Sequence, residues 1–185
     1  MLRDGALSLI ASGSSAALSL PGYLSRLRRA IGDQAPLRVL LTKGGERFLR
    51  PEVVGWYADE CLTTDSPGLN PTEFALRSRG LVVLPASANT LAAAALGLAG
   101  TPAQTALLVA PPPVLFFPSM NAAMWAKPVV RRHVAALRGE GHTVVDPHEG
   151  EAYEIWQRKI VPAQVLPAPD DAVKVIAHWW DERHG

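Results

Sequence analysis

Strand-length runs that are apolar at nearly every position, broken only by Ser8 and Arg38, recur along this chain, and they constrain its fold more than any other feature. Ala6–Ala11, Leu37–Leu41, Gly80–Leu84 and Val114–Phe117 are such runs. A strand that alternates apolar with polar residues buries one face, whereas a strand apolar at nearly every position is covered on both. Stretches of helical period separate the runs. Ala17, Leu20, Leu24, Leu27 and Ile31 lie on one face of a helix over Ala16–Ile31, which Pro21 and Gly22 weaken near its start. Strands alternating with helices imply an α/β chain with a parallel sheet covered on both sides.

The remaining segments fill in this alternation. The pattern predicts helices over Val53–Cys61, Thr72–Arg79, Asn89–Ala99 and Pro128–Gly139, and one over Asp170–Trp180 with Val173, Ile176, Ala177 and Trp180 on one face. Thr105–Val109 and His142–Val145 read as further strands, Thr64–Pro71 as a loop, and Asp146–Ala168 shows no clear period. No internal repeat or second domain is visible. At 185 residues the chain is expected to form one domain, 1–185, with a substantial core.

Composition excludes several classes. Hydrophobic residues make up 48% and charged residues 19%, the balance of a folded chain, and a net charge of +1 gives no electrostatic case for nucleic acid or an anionic membrane. Thr90–Ala110 is apolar enough to raise the question of a membrane span. Gly97, Gly100, Pro102 and Gln104 interrupt it, so it reads as a buried helix plus a buried strand. The apolar run after Arg3 and Asp4 is too short for a signal segment. The only cysteine is Cys61, which allows no disulfide framework or cysteine metal cluster, and no metal is expected; a reduced cytoplasm suits such a chain.

Small-residue loops follow the apolar runs. Ser12-Gly13-Ser14-Ser15 links a strand to a helix, where backbone N–H groups can approach an anion and the helix field favours it. A tight turn with an N-cap serine explains the same residues equally well. Both the dinucleotide glycine fingerprint and the P-loop lysine are missing from this loop. Thr42-Lys43-Gly44-Gly45 is a second such loop, and two at one carboxyl edge favour a nucleotide-like ligand.

Two longer segments are more specific. Pro85-Ala86-Ser87-Ala88-Asn89-Thr90 follows one strand, and Pro118-Ser119-Met120-Asn121-Ala122-Ala123-Met124-Trp125 follows another. They carry a P-A-S-A-N-T and a P-x-M-N-x-x-M-W motif. By these motifs, their order and their separation, the chain resembles the homo-oligomeric flavin-containing cysteine decarboxylases. That family comprises phosphopantothenoylcysteine decarboxylases and the peptidyl-cysteine decarboxylases of lantibiotic, linaridin and thioamide-peptide pathways. The resemblance implies a flavodoxin-like Rossmann three-layer fold, FMN more than FAD as cofactor, and a homo-oligomer built on trimers, with a dodecamer expected. It implies that Gly13, Ser14 and Ser15 approach the flavin phosphate and ribityl chain. Thr42 and Phe48 would line the flavin, and Ser87, Ala88 and Asn89 would meet both flavin and substrate. Asn121 would bind the substrate carboxylate, with Met120 beside it.

The chain departs from the family at one point. Where the family carries its catalytic histidine, upstream of P-A-S-A-N-T, this chain has Pro71, flanked by Asn70, Thr72 and Glu73. None of the five histidines lies in that loop. The segment that carries a cysteine in the pantothenate enzymes is here roughly 146–167 and holds none. It resembles the substrate clamp of the peptide-acting members, with Tyr153 and Trp156 offering apolar contact and Arg158 and Lys159 able to donate to peptide carbonyls. The expected activity is oxidative decarboxylation of a C-terminal peptidyl cysteine to an aminoenethiol, ahead of S-(2-aminovinyl)cysteine ring closure in a ribosomal precursor peptide. A flavin suits this reaction, because cysteine offers a sink for the electrons left by carbon dioxide loss only after oxidation to a thioaldehyde. A phosphopantothenoylcysteine decarboxylase of coenzyme A biosynthesis and a non-catalytic flavin-binding relative remain as alternatives.

Overall fold

The structure is a computed structural model that describes residues 5–32 and 34–184. Arg3 and Asp4 lie outside the described residues. Six parallel strands form the central sheet: β1 (Ala6–Ala11), β2 (Leu37–Leu41), β3 (Glu60–Thr63), β4 (Ser78–Ala86), β5 (Leu115–Pro118) and β6 (Thr143–Val144), in the order β3-β2-β1-β4-β5-β6. This is the strand order of a Rossmann-type sheet. A separate antiparallel hairpin, β7 (His148–Glu154) with β8 (Lys159–Val165), stands apart from it.

Strand periodicity sorts the core into two halves. Leu7 and Leu9 of β1, Val39 and Leu41 of β2, Val82 and Leu84 of β4, and Leu115 and Phe117 of β5 point to one face. There they meet α1 (Leu20–Ile31), α2 (Pro51–Gly55) and α8 (Pro169–His184), through Leu24, Leu27, Val54, Ile176, Trp179 and Trp180. Ile10, Leu40, Leu81, Val83 and Phe116 point the other way. They pack on α3 (Pro71–Leu76), α4 (Ala88–Ala95), α5 (Pro102–Val109) and α7 (Pro128–Gly139). Continuous burial along β1 and β2 follows from this double cover.

Arg38 is the buried charged residue among the described ones. It is 1% exposed and donates to Ser8 Oγ at 3.2 Å, Phe74 O at 3.1 Å and Ser78 Oγ at 3.1 Å, with its guanidinium 5.0 Å from the Phe74 ring centroid. A buried cation persists only when hydrogen-bonded in this way.

Several segments differ from the sequence expectation. Thr105–Val109 belongs to α5, so Thr90–Ala110 holds two helices and no strand. The Thr101 side chain accepts from Gln104 N and Pro102 takes the first helical position, a start signal that outweighs the apolar run. The helix expected over Val53–Cys61 stops at Gly55, and Glu60–Thr63 adds the half-buried edge strand β3 beside β2. The helix expected over Thr72–Arg79 ends at Leu76, because β4 begins at Ser78. Asp146–Ala168 contains the hairpin; lacking a fully buried face, its strands carry no strong apolar alternation. Among the described residues, no helix is long and apolar enough to cross a membrane.

Candidate functional site

Chain order reverses between β1 and β4. The chain runs outward from β1 to β3, then returns to place β4 on the other side of β1. In open parallel sheets the crevice at the carboxyl ends of such a pair is where ligands bind. The loops of all four motif segments converge there.

One buried hydroxyl joins the two central strands at this edge. Ser12 Oγ donates to Pro85 O at 2.7 Å and accepts from Ser87 N at 2.8 Å. Ser14 caps the short helical turn 15–19, and its hydroxyl lies 2.8 Å from that of Ser119 on the loop after β5. Gly13 and Gly44 approach so closely that a Cβ on Gly13 would lie 3.0 Å from Gly44 Cα. Thr42 Oγ1 donates to Ala11 O at 3.3 Å and accepts from Gly45 N at 3.1 Å. Ser87 caps α4, accepting from Thr90 N at 3.3 Å.

These loops surround a cavity of about 300 Å³ lined by Gly13, Thr42, Gly44, Ser87, Asn89 and Thr90, with Gln104 and Leu107 of α5 and its capping residue Thr101 on the far wall. Reading α5 as a strand hid that wall; the Thr101-Pro102 helix start was the available signal. Lys43 also lines the cavity and pairs with Asp65, which together with Glu46 holds its ammonium above the ordinary lysine range. Side-chain-free backbone at Gly13 and Gly44 lets an anion approach the loop main chain, and small hydroxyl residues line the rest, so the cradle fits the phosphate and polyol of a flavin nucleotide. Of the other residues expected here, Ser15 is exposed, Ala88 opens α4 and Phe48 is half-buried after the short turn 45–47. They do not line the cavity.

The second group of expected residues sits on the loop after β5. Met120 packs against the core formed on α4, α5 and α7. Asn121 is exposed and caps the four-residue helix α6 (Ala122–Trp125), its Oδ1 accepting from Ala123 N at 2.8 Å. Its Nδ2 donates to Glu154 Oε1 of the hairpin at 3.1 Å. Trp125 is 5% exposed, and the Arg131 guanidinium covers it at 4.3 Å from the ring centroid, which anchors the loop. At the hairpin tip, Tyr153 and Trp156 are 61% and 79% exposed, and Arg158 takes a left-handed conformation at φ 53°. Tyr23 OH donates to Pro167 O at 2.8 Å and ties down the chain leaving the hairpin.

Burial pushes the Cys61 thiol up to about 12, with Glu52 and Glu46 adding to the shift, so it stays protonated at neutral pH. Burial lowers His142, whose Nδ1 accepts from Val114 N at 3.0 Å. His148 opens β7, is exposed and does not line the cavity. At the family's histidine position, Pro71 begins α3, and Asn70 Oδ1 accepts from both Thr72 N and Glu73 N at 3.1 Å. Asn70 is thereby occupied as a helix cap and Glu73 pairs with Arg77 at 3.3 Å. The N–H at a first helical position needs no partner within the helix, so histidine fits there. Pro71→His is expected to fold, to shift stability by less than about 1 kcal/mol and to retain turnover. Thermal melting and an activity assay check this, and a collapsed fold would show that Pro71 does not stand at the family's histidine position.

Comparison with known proteins agrees with this geometry. Residues 1–177 match the flavoprotein family. The chain is 30% identical over 186 residues to mersacidin decarboxylase of Bacillus sp. (strain HIL-Y85/54728), covering 99% of this chain and 94% of that protein. It is 29% identical to the coenzyme A biosynthesis bifunctional protein CoaBC of Bacillus subtilis (strain 168) over 81% of this chain but only 38% of that one. Among solved structures, the FMN-dependent cysteine decarboxylase SpaF superposes with a TM-score of 0.81 at 29% identity, with 100% of both chains covered.

Proposed function

This chain belongs to the flavoprotein family, and from that premise we propose that it is an FMN-dependent decarboxylase that oxidises and decarboxylates the C-terminal cysteine of a precursor peptide. The product is an aminoenethiol, which later closes an S-(2-aminovinyl)cysteine ring in a ribosomal peptide natural product. The observation that carries this reading is the 2.8 Å contact of Ser14 with Ser119, which ties the cofactor-side loop to the loop bearing Asn121. The resemblance to mersacidin decarboxylase and SpaF supports the same class.

Of the residues that the resemblance implicates in flavin binding, Gly13, Thr42, Ser87 and Asn89 line the cavity and would hold the FMN; Ser14, Ser15, Phe48 and Ala88 lie outside its lining. When bound, FMN supplies a two-electron acceptor beside the substrate thiol. Asn121 holds the substrate carboxylate, with Met120 beneath it. A neutral amide suits that role, because a fixed cation would stabilise the charged carboxylate more than the transition state that disperses its charge. Tyr153, Trp156 and Arg158 of the hairpin cover the peptide. We further propose a single functional domain over 1–185, a trimer-based homo-oligomer reaching a dodecamer, and a cytoplasmic setting. The largely exposed Leu18 and Trp56 support association, and the lone, unpaired Cys61 supports a reducing compartment.

The redox outcome separates this reading from its nearest rival. The hairpin carries no cysteine, and Cys61 on β3 stays a thiol, so no side-chain sulfur is placed to return electrons to the product. Anaerobic mixing with a cysteine-ending peptide is expected to bleach the flavin absorbance and to remove one carbon dioxide and two hydrogens from the peptide. An oxidised flavin beside a saturated thiol, formed only from the pantothenate compound, would move the chain to coenzyme A biosynthesis, the class of its CoaBC relative. No turnover of either compound would make it a binding protein.

A further inference from the structure

The hairpin turns the wrong kind of side chain inward. At its tip Tyr153, Ile155 and Trp156 are 61%, 66% and 79% exposed, while the charged Glu154 between them is half-buried against the body. Burial normally runs the other way, with apolar groups covered and carboxylates in water. The inward carboxylate has a specific partner, since Glu154 Oε1 accepts from Asn121 Nδ2 at 3.1 Å. Its other oxygen accepts from the Gln157 amide, and its carbonyl accepts from Arg158 N at 2.8 Å, which closes the turn and fixes Glu154 at the end of β7.

Asn121 has little choice of orientation. Its Oδ1 is committed to Ala123 N at 2.8 Å, so Nδ2 is the end that faces outward to donate. In this structure that donor already holds a carboxylate, and the carboxylate is the protein's own.

We propose that Glu154 is an internal competitor for the substrate carboxylate: it occupies the Asn121 amide in the resting enzyme and is displaced when a peptide C-terminus arrives. The proposal rests on the reading that Asn121 binds that carboxylate. Nδ2 carries two N–H groups, so the competition is electrostatic: two carboxylates drawn to one amide nitrogen repel, and the arriving group loosens Glu154. Displacing Glu154 frees the hairpin tip from the loop after β5. The exposed Tyr153 and Trp156 are then available to cover the peptide whose terminus replaced it.

Glu154→Gln tests this in the flavin-loaded protein. Glutamine keeps the size and an acceptor oxygen but removes the charge. The probes are two synthetic hexapeptides of one sequence ending in serine, which cannot be oxidised as cysteine is; one carries a free carboxylate and the other a carboxamide. Binding is read by calorimetry. The expected result is that Glu154→Gln tightens the carboxylate peptide about tenfold and changes the carboxamide peptide less than about threefold. Unchanged or weaker binding of the carboxylate peptide would overturn the proposal and make Glu154 a residue that merely positions Asn121. Asn121→Ala in the same assay separates the two readings. If it abolishes the preference for carboxylate while Glu154→Gln gains nothing, only the competitor fails. If the preference survives Asn121→Ala, the carboxylate binds elsewhere and both readings fall.

Discussion

Replacing Asn121 by aspartate is expected to leave the flavin bound and to lower turnover at least about a hundredfold. The substitution is conservative for the fold. Aspartate is as good a helix cap as asparagine, so the bond from Ala123 N at 2.8 Å survives and α6 stays in place. The donor at Nδ2 is lost and an anion takes its position. On the proposed reading that anion faces the substrate carboxylate, and in the structure it faces Glu154, whose oxygen lies 3.1 Å from Nδ2 in the native chain. Like-charge repulsion in a partly desolvated site costs on the order of a few kcal/mol, which sets the size of the effect. The visible spectrum and the melting temperature report the retained cofactor and fold, and kcat/KM reports the loss. Full turnover in Asn121→Asp would show that Asn121 does not hold the substrate.

Gly45→Ala is expected to act on the cofactor side and to act through the backbone. A Cβ at Gly45 would lie 2.6 Å from the carbonyl oxygen of Ala11, the last residue of β1. Neither atom sits on a flexible side chain, so the ends of β1 and β2 must part. Relieving such a clash costs about 2–4 kcal/mol, and it opens the turn in which Thr42 Oγ1 accepts from Gly45 N. The expected result is a melting temperature lower by several degrees and a protein purified largely without flavin. Gly55→Ala is the matched control, because nothing lies within 4 Å of a Cβ there. Equal melting temperatures and equal flavin content in the two variants would mean that the junction tolerates a side chain.

Legibility from sequence followed the physics of each segment. Strands buried on both sides announce themselves, and β1 and β2 have the bounds that their apolar runs define. The edge strand β3 did not, because Glu60 and Cys61 carry no apolar run and their conformation depends on pairing with Arg38 and Val39 of β2. Short apolar runs are ambiguous between a strand and a buried helix, and at Thr105–Val109 the deciding residues lay upstream, at Thr101 and Pro102. The motif loops were readable as chemistry, and the structure brings Gly13, Thr42, Ser87 and Asn89 to one cavity. What no local pattern could reveal is which distant groups meet there. The bond from Asn121 to Glu154 spans 33 residues and the one between Ser14 and Ser119 spans 105.

The hairpin's separation from the main sheet has an evolutionary consequence. Among the described residues, strands β7 and β8 pair only with each other, and none of their residues belongs to the buried parts of the two core halves. Mutations in most of this segment therefore escape the packing penalties that police the interior, where a lost methylene is felt at once. Such a segment can drift quickly while the catalytic body stays constant. On the proposed reading, in which the hairpin covers the peptide, it would work as an exchangeable cassette, through which one scaffold is retargeted from one peptide tail to another by rewriting fewer than twenty consecutive residues, 148–165.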